Sequence, residues 1–111
     1  MSGTLFVVST PIGNLEDITY RAVRVLKEAD VVACEDTRVT RKLLDAYDIS
    51  TKLIAFHAHS DAGVRARLIE RLQEGESIAL VSDAGTPLLS DPGAELVCEV
   101  VAAGLAVVPI P

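Results

Sequence analysis

Apolar residues fall along this chain in short blocks, and the blocks alternate between a strand-like and a helix-like period. Thr4 to Ser9 is a β-rich run; Ile18, Ala22, Val25, Leu26 and Ala29 then recur at the spacing of one helix face. Asp17 is the expected N-cap of that helix. Val31 to Cys34 is a second apolar run, Thr37 to Tyr47 a second helix with Leu43 and Leu44 turned inward, and Lys52 to Phe56 a third strand. Ala62 to Gln73 reads as a third helix, closed by Gly75 after Glu74. Ser77 to Val81, a helix over Ala94 to Ala103, Gly104 as its stop, and a strand over Leu105 to Val108 complete the series.

Five strands alternating with four helices, each strand a near-continuous Val/Ile/Leu/Ala run, predict an α/β fold. The expected architecture is a five-stranded, mainly parallel sheet with helices on both faces. If the helices alternate sides, the loops after the first and fourth strands converge at one edge of the sheet. At 111 residues the chain is one domain, large enough to bury roughly 60 to 70% of its unfolded surface. The echo between Ser82-Asp83-Ala84-Gly85 and Ser90-Asp91-Pro92-Gly93 is turn chemistry, not a repeat.

Composition sharpens this picture in three ways. Half the residues are apolar and the mean hydropathy is +0.37, yet no run approaches the ~18 apolar residues of a membrane span, so a covered face is expected and no membrane. Without a basic leader or an apolar signal core at Met1-Ser2-Gly3-Thr4, the expected location is the cytoplasm. Cys34 and Cys98, one in a strand run and one in a helix run, read as two reduced core thiols. Charge is uneven: residues 1 to 71 hold ten basic and ten acidic side chains, residues 72 to 111 six acidic and none basic. A polyanionic partner must therefore meet the Arg-bearing first two thirds, or another polypeptide.

The loops carry the candidate chemistry. Ser82 to Gly93 is a twelve-residue segment rich in Gly, Pro and Asp at the carboxyl end of an apolar strand, where open α/β sheets bind small molecules. Most strand-to-helix connections need only about two to six residues. Thr10 to Asp17 joins the first strand and helix, and Gly13 with Asn14 allows a left-handed turn or close approach to a ligand. Neither GxGxxG nor GxxxxGK[ST] occurs, which disfavours dinucleotide and nucleoside-triphosphate chemistry.

After the second strand, Glu35 and Asp36 precede Thr37, Arg38, Thr40, Arg41 and Lys42. Asp36 or Thr37 serves as an N-cap with the cations on a solvated face, or the cluster contacts substrate, with Arg38 gripping phosphate or holding a general base. His57, His59 and Asp61 alternate after the third strand and share one side of an extended backbone. Metal binding, an acid-base role and local hydrogen bonding all fit that pattern; no fourth ligand is identifiable, and no metal is expected.

TPIGNLEDITYRA, ACEDTRVTRKLL, the His57-Ala58-His59 pair and SDAGTPLLSDPG together resemble the ribosomal RNA small subunit methyltransferase I family of the tetrapyrrole methylase superfamily. The resemblance spans nearly the whole chain. Glu16 stands where a Gly is common in the family, and Ser60 where an Asn is common.

The resemblance implies methyl transfer from S-adenosyl-L-methionine to the ribose 2'-hydroxyl of a cytidine in small-subunit (16S) ribosomal RNA, by a two-domain homodimer. It makes this chain the N-terminal domain, inactive by itself, with a C-terminal domain completing the cofactor pocket; the apolar ending Val107-Val108-Pro109-Ile110-Pro111 agrees with a fragment. Carried over by position, Pro11, Ile12, Gly13 and Asn14 match one cofactor-side loop, and Ser82, Asp83, Ala84, Gly85, Thr86 and Pro87 the other. Glu35, Asp36, Arg38 and His59 match the substrate side, with Asp36 and His59 the candidate bases. The alternatives are a tetrapyrrole (precorrin or porphyrin) C-methyltransferase of the same fold, against which the EDTR segment speaks, and a non-catalytic dimerising domain.

Overall fold

Each apolar block becomes the element its period predicts. The computed structural model describes residues 2–9, 15–56, 62–81 and 93–110. Along them run β1 (Thr4–Val8), a 3-10 turn (Leu15–Asp17), α1 (Tyr20–Glu28), β2 (Val31–Cys34), α2 (Thr37–Ala46), β3 (Leu53–Ala55), α3 (Ala62–Gln73), β4 (Ile78–Val81), α4 (Gly93–Ala102) and β5 (Ala106–Ile110). β3 is shorter than the expected run, and β5 extends beyond Val108 through Pro109 to Ile110. Its outer position in the sheet tolerates a proline, which has no N–H to donate.

Local polar chemistry sets the helix ends. Asp17 lies in the 3-10 turn and does not cap α1; the backbone extends at Thr19 instead, whose hydroxyl accepts from the Ala22 N–H at 3.0 Å. α2, α3 and α4 end alike. In each, the residue after the turn donates back five positions: Ile49 to Leu44 (2.8 Å), Glu76 to Arg71 (3.0 Å) and Leu105 to Val100 (3.1 Å). The residue before it takes a positive φ: Gly75 at 100°, Gly104 at 76° and, without a glycine, Asp48 at 56°. Aspartate is among the few residues that enter this region readily.

The five strands form one parallel sheet in the order β3-β2-β4-β1-β5. The chain walks one way across it from β1 to β3, then returns for β4 and β5. With right-handed crossovers, helices made on one direction of travel share a face. Thus α1 and α2 cover one face, where Val25, Leu26 and Leu44 pack on Val8, Val32, Cys34 and Val81. α3 and α4 cover the other, where Leu68, Leu72, Leu96 and Val100 pack on Leu5, Val31, Ile78 and Leu80. The expectation that helices alternate sides is corrected: they are paired by face.

β2 and β4 are buried along their full length, as strands covered on both faces must be. Each fully buried Leu or Val side chain contributes about 1.5–3 kcal/mol, so the two cores supply most of the drive to fold. One expected core residue is not there: Cys34 is buried but Cys98 is exposed, because Leu96 and Val100 take the inward face of α4 and leave Cys98 facing out. No helix among the described residues is long and apolar enough to cross a membrane.

Candidate functional site

Parallel pairing places the carboxyl ends of all five strands on one rim, and strand order decides which sequence segments meet there. Reading across the sheet, the strand ends are Ala55, Cys34, Val81, Val8 and Ile110. The segments that follow the first four contain His59, Asp36 with Arg38, Ser82 to Pro87, and Pro11 to Asn14. Val8 is in register with Val81, so the two Gly- and Pro-bearing segments begin on adjacent strands, about 5 Å apart. β2 lies on the other side of β4, with Ala33 in register with Leu80, which brings the Glu35 to Arg38 segment to within about 10 Å of the end of β1.

β4 is also where the connections diverge. The chain leaves β1 and β2 toward the α1/α2 face and leaves β4 toward the α3/α4 face. Such a reversal opens a crevice beyond the strand ends, the place where open α/β sheets bind ligands. Pro11, Ile12, Gly13, Asn14, His59, Ser82, Asp83, Ala84, Gly85, Thr86 and Pro87 lie outside the described residues. The strands feeding the Pro11 to Asn14 and Ser82 to Pro87 segments end side by side, whereas β3, which leads to His59, is separated from β4 by β2.

Asp36 and Arg38 are described. Asp36 has an extended backbone and caps α2, its Oδ1 accepting from the Arg38 N–H at 2.9 Å. The same carboxylate accepts from Arg38 Nε at 3.4 Å and Nη2 at 3.5 Å. The Arg38 side chain is 89% exposed, so beyond this hold it projects from the rim into solvent. The guanidinium and the backbone N–H of Arg38 keep the Asp36 carboxyl below the usual carboxylate range. A carboxylate so held stays ionised near neutral pH and is a weaker proton acceptor than a free one. Its geometry suits aiming Arg38 and anchoring the helix start. Among the described residues no group of three or more His, Cys, Asp or Glu side chains is arranged to hold a metal ion.

Residues 4–111 match the family model of the Tetrapyrrole (Corrin/Porphyrin) Methylases. The chain belongs to this family. Among curated relatives it is 60% identical over 109 residues to the ribosomal RNA small subunit methyltransferase I of Halalkalibacterium halodurans, covering 98% of this chain and 38% of the relative. It is 57% identical over 107 residues to the protein of the same name from Mesorhizobium japonicum, covering 96% and 36%. The chain thus spans less than two fifths of the length of these relatives. A solved uroporphyrin-III-C-methyltransferase from Thermus thermophilus superposes with a TM-score of 0.78 at 25% identity, covering 100% of this chain and 48% of the other. The tetrapyrrole methylase fold is therefore shared with an enzyme named for a different substrate, and the fold does not choose the methyl acceptor.

Sequence reasoning missed Thr19, and the signal was present: a Thr three residues before Ala22, directly ahead of the first helical turn. It also assigned nothing to Tyr20, which is 96% exposed at the start of α1.

Proposed function

We propose that this chain is the N-terminal domain of an S-adenosyl-L-methionine-dependent methyltransferase that methylates the ribose 2'-oxygen of a cytidine in small-subunit ribosomal RNA. The supporting observation is the in-register pairing of Val8 with Val81, which starts the Pro11 to Asn14 and Ser82 to Pro87 segments on neighbouring strands at the reversal point of the sheet. The choice of ribosomal RNA over a tetrapyrrole rests on the relatives at 60% and 57% identity bearing that name, against 25% for the porphyrin enzyme. In this reading the protein is a cytoplasmic homodimer, and a second domain completes the donor pocket.

The donor supplies an activated methyl group on a sulfonium. The chain's own task is alignment: Gly13 and Gly85 let main chain approach the donor, Asp83 accepts from its ammonium or ribose hydroxyls, and the rim of β2 faces the acceptor. Holding two reactants in line supplies about 7 to 11 kcal/mol of a barrier, and a placed base a further ~10²- to 10⁴-fold. His59 is the better base, since Asp36 is engaged by Arg38 and the α2 N-terminus. Arg38 is the residue for a substrate phosphate, and Asp36 positions it.

The experiment uses tritiated S-adenosyl-L-methionine, undermethylated small ribosomal subunits, and this chain fused to the remaining part of the Halalkalibacterium halodurans relative. Nucleoside analysis is expected to find label in 2'-O-methylcytidine. Label on a base, or none on RNA with label on a porphyrin carbon, would replace the assignment. Asp36→Asn, which keeps a capping oxygen, is expected to retain more turnover than His59→Ala; the reverse order would return the base to Asp36. S-adenosylhomocysteine is expected to bind the fusion more tightly than this chain alone, and equal affinity would contradict a shared pocket.

A further inference from the structure

The two helical layers differ in how they treat their cations. On α3, every arginine is matched: Arg65 to Glu95 and Glu99 (3.3 and 3.0 Å), Arg67 to Glu70 and Glu74 (2.7 and 3.4 Å), and Arg71 to Glu76 (2.8 Å). The α1/α2 layer is different. Its helices carry six cations, Arg21, Arg24, Lys27, Arg38, Arg41 and Lys42, against two carboxylates, Glu28 and Asp45, in a chain whose net charge is -6. Among the described residues Arg21, Arg24, Lys27 and Lys42 form no ion pair, and all four are exposed. Arg41 meets Asp45 only at 3.8 Å.

Amphipathic helices must put charge outside, because Val25, Leu26, Leu43 and Leu44 occupy the inner faces. That requirement does not select a sign. The excess of four positive charges belongs to the two helices themselves, which are flanked in sequence by the carboxylates Glu16, Asp17, Asp30, Glu35, Asp36 and Asp48, so the cations form a stripe along the helices with a local positive field. Both α1 and α2 begin at the rim where the candidate site lies, since each leads from the carboxyl end of one strand to the start of the next. Two exposed apolar side chains sit at those beginnings: Tyr20, first residue of α1 and 96% exposed, and Val39 in the first turn of α2, 50% exposed. Cations along a surface with an exposed aromatic at one end suit single-stranded nucleic acid, whose phosphates meet the charges while an unstacked base lies on the ring.

We propose that the outward layer of α1 and α2 is the surface on which this protein holds RNA, with Arg21, Arg24, Lys27 and Lys42 against backbone phosphates and Tyr20 stacking on a base beside the rim. The proposal rests on the methyltransferase reading and deepens it by naming the substrate-holding face. It also orients the complex: the α3/α4 layer, with Glu95 and Glu99 on α4, faces away from the RNA.

The test is fluorescence anisotropy of a labelled RNA hairpin with a cytidine in its loop, titrated with this chain over a salt series. Replacing Arg24, Lys27 and Lys42 together with Gln is expected to lower the slope of log affinity against log salt by about 2, and to weaken binding at ~0.1 M salt by roughly ten- to a hundredfold. Tyr20→Ala is expected to weaken binding about fivefold or more with the slope unchanged. Arg67→Gln, on the other layer, is expected to leave both unchanged. Wild-type affinity in the triple variant, no hairpin binding by the wild-type chain, or a preference for phosphatidylserine vesicles over the hairpin would each overturn this surface. The methyltransferase reading fails by a different result, the absence of transferred label on RNA.

Discussion

Gly3 precedes β1 at the end of the sheet away from the candidate site, and Gly3→Ala tests whether the start of β1 is held as tightly as the structure shows. Gly3 is buried, and its N–H donates to the Leu72 carbonyl at 2.7 Å, tying β1 to the last turn of α3. A methyl group built there would lie 2.5 Å from the carbonyl carbon of Glu76 and closer still to its oxygen, where real Cβ atoms keep at least 3.0 Å. Both neighbours are backbone, so no side chain can swing aside. Glu76 stands two residues ahead of β4, whose Ile78 pairs with Leu5 of β1. Relief would have to spread those strands or break the bond to Leu72.

Overpacking of this kind costs about 1–3 kcal/mol, and loss of the hydrogen bond about 1 more. The sum is about 3 kcal/mol, or a fall in melting temperature of roughly 12 °C or more for a domain of this size. Gly104→Ala is the control. Its φ of 76° makes alanine costly, but nothing lies within 4 Å, so only the backbone conformation is penalised, by about 1–2 kcal/mol. Urea and thermal unfolding followed by circular dichroism should therefore rank Gly3→Ala as the more damaging. A Gly3→Ala protein as stable as wild type, or more stable than Gly104→Ala, would refute the close approach of Gly3 to Glu76.

Asp36 and Glu76 are both held below their ordinary values of 3.8 and 4.5, chiefly by hydrogen bonds from Arg38 and Arg71. Their contribution is complete above about pH 4.5 and is lost as pH falls through the lowered folded values. Melting temperature should fall on acidification below that point, and Glu76→Gln should flatten the decline; an identical profile in the variant would contradict the linkage. Arg65 is 16% exposed and joins α3 to α4 through Glu95 and Glu99, so Arg65→Gln should cost about 1 kcal/mol, measured by urea unfolding. Cys98 should react with Ellman's reagent in the folded protein and Cys34 only on unfolding; two protected thiols would contradict the outward position of Cys98.

The sequence by itself determined the elements, because each helix or strand must bury a face and so writes its own period into neighbouring positions. The blocks at Val31 to Cys34 and Ala62 to Gln73 fold with the boundaries their patterns predict, and Gly75 and Gly104 stop their helices as expected. Asp17 misled because several polar residues compete to cap one helix; the bend of the chain between Leu15 and Thr19 chose the threonine. Asp48 was silent for a similar reason, since an aspartate at a positive φ looks like any exposed aspartate until the turn is seen.

Tertiary structure alone decided the neighbours. That β1 lies between β4 and β5, that Val8 meets Val81, and that the helices pair by face follow from right-handed crossovers on a chain that reverses direction once across the sheet. Those are relations between residues some seventy positions apart, and no local pattern encodes them. The same holds for charge. The arginines of α1 and α3 look alike along the chain, and only the packing of α4 against α3 supplies Arg65 with its carboxylates, while Arg21 and Arg24 of α1 are left exposed to solvent.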